Sequence, residues 1–258
     1  MNEDKELKET TKKSIFNYKI ILAVGLLIVF SSIAGLVYII MGYEKTNQLY
    51  ANITESNLEY TASTSWQDML DVDFDSLTKI NPDVVGWIYV EGTDISYPIM
   101  YSGDDEGYLR RDINKEYAKA GSIFLEGYNL PDFTDSHNII YGHNMRNLSM
   151  FGTLKYYKSN DNYYDEHKYF QIITPNKKMR FEIFSYFDTD PASFVYTVPY
   201  SDSPEFEEYI GTLKTNSYID ADDIAVKASD QIVTLSTCSS SEMRFTVHGV
   251  MIDVEKVQ

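Results

Sequence analysis

A single cysteine, Cys238, ends the run Gln231-Ile-Val-Thr-Leu-Ser-Thr-Cys238, and Arg244 follows shortly after it. The run alternates as a strand does, with Val233 and Leu235 on an apolar face and Thr234, Ser236 and Cys238 on the other. Ser239-Ser240-Ser241-Glu242 then reads as a turn. A free cysteine usually packs as a small hydrophobe. Here its place at a strand end, on the less apolar face, points instead to a reactive thiol. If 239–243 form a hairpin loop, Cys238 and Arg244 oppose each other across two antiparallel strands, with Cβ atoms about 5 Å apart. A guanidinium there favours the thiolate and can donate to a developing oxyanion. A surface arginine at a strand start is the competing reading, and the loop length decides between them.

The chain has four histidines to act beside the thiol. His248 shares the face of Arg244 but lies about 13 Å further along the strand, at about 3.3 Å per residue. His137 in a polar loop and His167 in a tyrosine-rich acidic stretch read as solvated. His143 follows the strand-like segment 138–141 and a glycine, so it sits at a strand end as Cys238 does. Catalytic side chains are usually presented from such ends. The spacing does not by itself bring His143 to Cys238. The histidines lack paired metal-ligand spacing and the acids lack an EF-hand-like pattern, so no metal and no cofactor is expected.

These residues need a scaffold, and its elements are mostly short strand-like runs: 85–90, 95–100, 122–125, 138–141, 170–174, 180–187, 232–238 and 245–254. About eight strands with few helices predict a closed β-barrel or sandwich. Asp73 is a plausible N-cap for a short helix burying Phe74, Leu77 and Ile80, stopped by Asn81-Pro82. A second helix is well marked over 203–213. Ser203-Pro204 supplies its cap and first turn, and Phe206, Tyr209, Ile210 and Leu213 fall on one face. It interrupts the strand pattern between Phe187 and Ile232, inside a long connection of the kind that often carries function.

The chain has 258 residues with 43% hydrophobic and 14% aromatic side chains, enough to bury a core. Its net charge of −17, from 22 basic and 39 acidic residues, argues against nucleic acid as a partner. One cysteine excludes an intramolecular disulfide. Residues 20–41 carry no charge and are long enough to span a hydrocarbon core of about 30 Å. They read as an uncleaved anchor, because a signal peptide has a shorter apolar stretch and a small-residue cleavage site. Lys12, Lys13 and Lys19 precede the span and Lys45 alone follows it, which leaves the amino terminus cytoplasmic. The expected organisation is a cytoplasmic 1–19, a transmembrane 20–42, a stalk or helical region 43–72 and an extracellular domain 73–258.

Thr234-Leu235-Ser236-Thr237-Cys238 followed by Arg244 resembles the TLxTC…R signature of sortases, and Tyr141-Gly142-His143-Asn144-Met145 resembles their histidine motif. Asn81-Pro82-Asp83-Val84-Val85-Gly86-Trp87-Ile88, Ile95-Ser-Tyr-Pro98, Gly121-Ser-Ile-Phe124 and Met150-Phe-Gly-Thr-Leu154 look like class B sortases. Glu126 stands where that family often has Asp. The resemblance implies a mainly β fold: a closed eight-stranded sortase-type barrel with amino-terminal helices and a helical insertion between strands six and seven, behind one transmembrane helix. It implies a membrane-anchored cysteine transpeptidase with Cys238 as nucleophile, His143 as acid and base, and Arg244 as the group that positions substrate and stabilises the oxyanion. Substrate binding would fall to Ser236, Thr237 and Ser239 beside the cysteine and to Tyr209 on the inserted helix. The implied partners are surface proteins with an NPxTx- or SPxTx-like sorting signal, cut after Thr, and an amine of lipid II or a peptidoglycan cross-bridge. A pilin-polymerising or pilus-base sortase is the nearest alternative, and a non-enzymatic surface binding module is the alternative from another class.

Overall fold

The computed structural model describes residues 3–61, 63, 65–198, 203–239 and 242–257, with side chains from residue 17 onward. Ser240 and Ser241 of the expected turn lie outside the described residues. The chain divides into two compact units, Met1–Lys45 and Thr46–Gln258. Helix α1 (Glu3–Asn57) runs through the first unit and into the second. Its segment from Asn17 is long and apolar enough to cross a membrane.

The second unit starts earlier than the expected 73. Within the expected stalk or helical region, 43–72, α1 continues to Asn57 and packs on the domain. Tyr50 and Ile53 are buried, and the Tyr50 hydroxyl shares a 2.8 Å hydrogen bond with Ser122 Oγ. Strand β1 (Leu58–Tyr60) pairs antiparallel with β2 (Leu70–Val72). Asp73 caps α2 (Phe74–Ile80) by accepting from Ser76 N–H at 2.9 Å. Phe74 and Leu77 are buried as expected, but Ile80, six residues and about 120° round the helix from Phe74, is 44% exposed.

The remaining strands are β3 (Val84–Val90), β4 (Ser96–Met100), β5 (Ile123–Leu125), β6 (His137–Tyr141), β7 (Tyr169–Thr174), β8 (Lys177–Thr189), β9 (Ile232–Cys238) and β10 (Arg244–Lys256). They close a barrel in the order β10-β8-β7-β3-β4-β5-β6-β9. Closure removes the open edges that an eight-stranded sheet would otherwise expose. Two neighbours run parallel, β4 with β5 and β6 with β9, and the others antiparallel. The two single-turn helices α3 (Tyr156–Ser159) and α4 (Tyr163–Glu166) lie between β6 and β7.

Helix α5 (Pro204–Thr215) sits in the connection from β8 to β9, with Ser203 at its N-cap. Phe206, Tyr209, Ile210 and Leu213 are buried against Phe184, Phe187, Ile232 and Val250 on the outside of the barrel. This helix changes the expected reading of β9. Its polar face is not open: Thr234 and Ser236 are as buried as Val233 and Leu235. The insertion covers them, and a polar stripe survives there because it is hydrogen-bonded. His137, expected in solvent, begins β6 and is fully buried in that stripe. Its Nε2 lies 2.9 Å from Thr234 Oγ1, which is 2.9 Å from His248 Nδ1. His167 is half-buried, with Nδ1 3.0 Å from Glu91 O and its ring against Tyr163.

Candidate active site

Cys238 ends β9 and Arg244 opens β10, and the two are directly paired in the antiparallel register. Ser239 N–H donates to Met243 O at 3.0 Å and closes the loop between them. The five-residue loop therefore sets the register that the sequence spacing required.

His143 reaches the same end of the barrel through parallel pairing. β6 and β9 align Tyr141 with Ser236, so two residues further along each strand come His143 and Cys238. The ladder continues past the strand end: Gly142 N–H donates to Ser236 O at 3.1 Å, and the Asn144 side-chain amide donates to Cys238 O at 2.7 Å. Asn144 thus fixes the backbone of the cysteine from the histidine segment. A Cβ at Gly142 would run into Ile123 and Phe151, so glycine lets this segment lie against the barrel end.

The His143 ring is fixed by a 2.8 Å hydrogen bond between Nε2 and Leu109 O. A carbonyl oxygen only accepts, so Nε2 carries the hydrogen and Nδ1 is left as the basic atom. Burial lowers the His143 pKa from its usual value, and the charges of Arg110 and Arg244 lower it further. The Leu109 carbonyl works in the opposite direction. A neutral ring is thereby favoured near neutral pH.

His143, Cys238 and Arg244 line one cleft of about 530 Å³, together with Ser236 and Thr237. Its aromatic wall is Tyr141 and Tyr196, whose rings stack at 6.3 Å. Tyr196 shares a 2.9 Å hydrogen bond with Ser236 Oγ, and the Tyr141 hydroxyl donates to Glu126. Glu126 is 5% exposed, and its carboxyl is raised by burial and by Asp105, against the hydrogen bond from Tyr141. The buried Thr237 hydroxyl has no protein partner among the described residues.

Two of the expected binding residues are placed elsewhere. Tyr209 is buried on the inner face of α5, where its hydroxyl donates to Val195 O at 3.1 Å and lies 3.3 Å from His137 Nε2. It supports the insertion and does not line the cleft. Ser239 hydrogen-bonds Asp188, whose carboxyl burial would raise but Lys158, Ser239 and Tyr218 hold below its usual value. Leu109, Tyr196 and the Glu126–Tyr141 pair are cleft features that sequence spacing did not single out for a role. Only Glu126 carried a signal, as an acid in an otherwise family-like segment.

The Sortase domain family matches residues 88–252. Sortase B of Listeria monocytogenes is 31% identical over 215 residues, covering 80% of this chain and 87% of that one. The crystal structure of Clostridium perfringens sortase B is similar with a TM-score of 0.66 and 34% identity, over 70% of this chain and all of that one. A Staphylococcus aureus sortase B–substrate complex is similar with a TM-score of 0.65 and 30% identity, over 72% of this chain and 85% of that one.

Proposed function

The chain belongs to the class B sortases, which are cysteine transpeptidases, and from that premise we propose that it cuts a sorting signal after Thr and passes the acyl group to a peptidoglycan-type amine. The observation that carries this reading is the convergence of Cys238, His143 and Arg244 on one cleft from three strand ends. Cys238 Sγ gives its proton to His143 Nδ1 as it attacks the threonine carbonyl carbon, and the oxygen takes up negative charge facing Arg244. The C–N bond then breaks, and His143 Nδ1 supplies the proton that the departing amine needs. The acyl group remains on Cys238 as a thioester. An incoming amine attacks that carbonyl, gives its proton to His143, and the C–S bond breaks to free the thiol.

The aromatic wall of Tyr141 and Tyr196 and the Ser236 hydroxyl would hold the signal peptide in register. NPxTx- or SPxTx-like cores are the proposed signals. The apolar segment of α1 would anchor the chain in a membrane, with the preceding lysines on the cytoplasmic side and the barrel outside. Such a chain would attach surface proteins to the cell wall.

The test is a peptide ligation assay on the full-length chain in detergent, with NPQTN, SPKTG and LPETG cores and added amine. The expected result is cleavage after Thr, product joined to the amine, and loss of both in Cys238→Ala. Cleavage that persists in that variant would remove the thiol mechanism.

A further inference from the structure

The active-site cleft has a neighbour on the other flank of the segment that carries His143. Residues 143–151 fold back on themselves: Asn144 and Met150 form an antiparallel bridge, and Phe151 N–H donates to His143 O at 3.1 Å. Leu148 and Met150 hold left-handed backbone, with φ of 68° and 54°. Bulky side chains rarely adopt it, and such strain concentrates at functional segments. Gly142 and His143 line the cleft, whereas residues 147–150 form a wall of a second groove of about 700 Å³. Facing them are the end of α1, strand β1 and the turn between β3 and β4.

The lining of this second groove has a definite chemistry. It presents the rings of Tyr60, Tyr89 and Tyr97, the amide of Asn147 and the carboxylates of Glu55 and Asp94. Among the described residues that line it there is no lysine or arginine. The two walls are tied to each other and to the histidine segment. Asn147 Nδ2 donates to Asn47 Oδ1 at 3.1 Å, and Met150 N–H donates to the Tyr97 hydroxyl at 3.1 Å. Flat aromatic faces suit the C–H faces of sugar rings, and amides and carboxylates suit hydroxyl, acetamido and ammonium groups. A bare phosphate would meet repulsion instead.

An acyl-transfer enzyme must seat a second substrate while the first still fills the cleft. The amine of that substrate has to arrive beside His143, which takes its proton. From the shared segment and the lining we infer that the second groove is the acceptor subsite. It holds the sugar and peptide portion of a peptidoglycan-type fragment while the free amine of that fragment reaches the thioester past His143. This inference rests on the acyl-transfer reading above and adds where the acceptor binds and what class of ligand binds there.

The experiment compares two acceptors with the full-length chain at a fixed concentration of sorting peptide. One is diglycine, a bare amine, and the other is a soluble disaccharide–peptide fragment with a free amine. The variants are Tyr60→Ala, at a side chain 58% exposed, and Asp94→Asn. Each should raise the KM for the fragment by at least about fivefold, the loss of one good polar or aromatic contact. The KM for diglycine and the hydrolysis rate without acceptor should stay within about twofold, since uniform binding of the donor is untouched. An unchanged fragment KM in both variants, or a parallel fall in hydrolysis, would overturn the groove assignment alone. A wild-type chain that cleaves the peptide and joins it to neither amine would overturn the transfer reading, and the groove assignment with it.

Discussion

His143 shows how neighbours fit a side chain to its task. Burial removes solvent from the imidazolium, and the positive charges of Arg110 and Arg244 disfavour it further. The Leu109 carbonyl fixes the ring and assigns the hydrogen to Nε2. The imidazole should therefore titrate below its unperturbed value of about 6.5. Arg110 is the neighbour open to a test, because its Nη1 donates to Lys119 O at 2.7 Å on the surface. Removing its charge takes away one of the causes that lower the pKa. In Arg110→Gln, the NMR titration midpoint of His143 should rise toward its ordinary value, by roughly a few tenths of a pH unit at low salt. A midpoint that falls, or that does not respond, would remove Arg110 from the electrostatics of the site.

At the scale of elements, the insertion between β8 and β9 is joined to the barrel through buried imidazoles. His137 contacts Thr234 on β9 and the α5 tyrosine Tyr209, and its Nδ1 lies 3.3 Å from Thr197 O. Thr197 and Tyr196 belong to the cleft, so this polar cluster underlies the cleft-facing end of the insertion. Burial pushes the His137 pKa down to about 4, and burial with the nearby His137 holds the His248 pKa well below its usual value. The sign follows from proton binding: between about 4 and 6.5 the unfolded chain is protonated at His137 and the folded chain is not. Stability should thus fall as pH drops below about 6.5, by about 2 kcal/mol between pH 7 and pH 5 for this residue. Thermal melts at the two pH values check it, and His137→Gln should flatten the dependence. A variant with the same pH slope as the parent would contradict the assignment. Spacing made α5 and its buried face legible, yet left the burial of His137 hidden. Thr134-Asp135-Ser136-His137 is polar in sequence, and only the pairing of β6 with β9 and the cover of α5 take the imidazole out of water.

For the whole molecule, the eight barrel strands were legible as short runs rich in apolar, β-branched and aromatic residues, bounded by turn residues. The Cys238–Arg244 register was legible because a short hairpin loop fixes it. The meeting of Cys238 with His143 was not, since the parallel partners β6 and β9 are far apart in the chain and joined by a crossover. The packing of residues 46–57 on the domain was hidden for a related reason. Tyr50 and Ile53 are the buried apolar residues in that part of α1, beside the polar Thr46 and Asn57, and the partner of Tyr50, Ser122, comes from distant sequence. Strand β1 has three residues, too few for any period to show. The central claim is that this barrel carries a sorting-signal acyl group on its one cysteine, and the most direct measurement is intact-mass spectrometry of the full-length chain. Incubated with a sorting peptide and quenched in acid, the wild-type chain should gain the mass of the peptide through Thr. The adduct should map to Cys238, and hydroxylamine should release it as the hydroxamate. A chain whose thiol alkylates readily but never carries that adduct, while the peptide is still cleaved, would contradict the account.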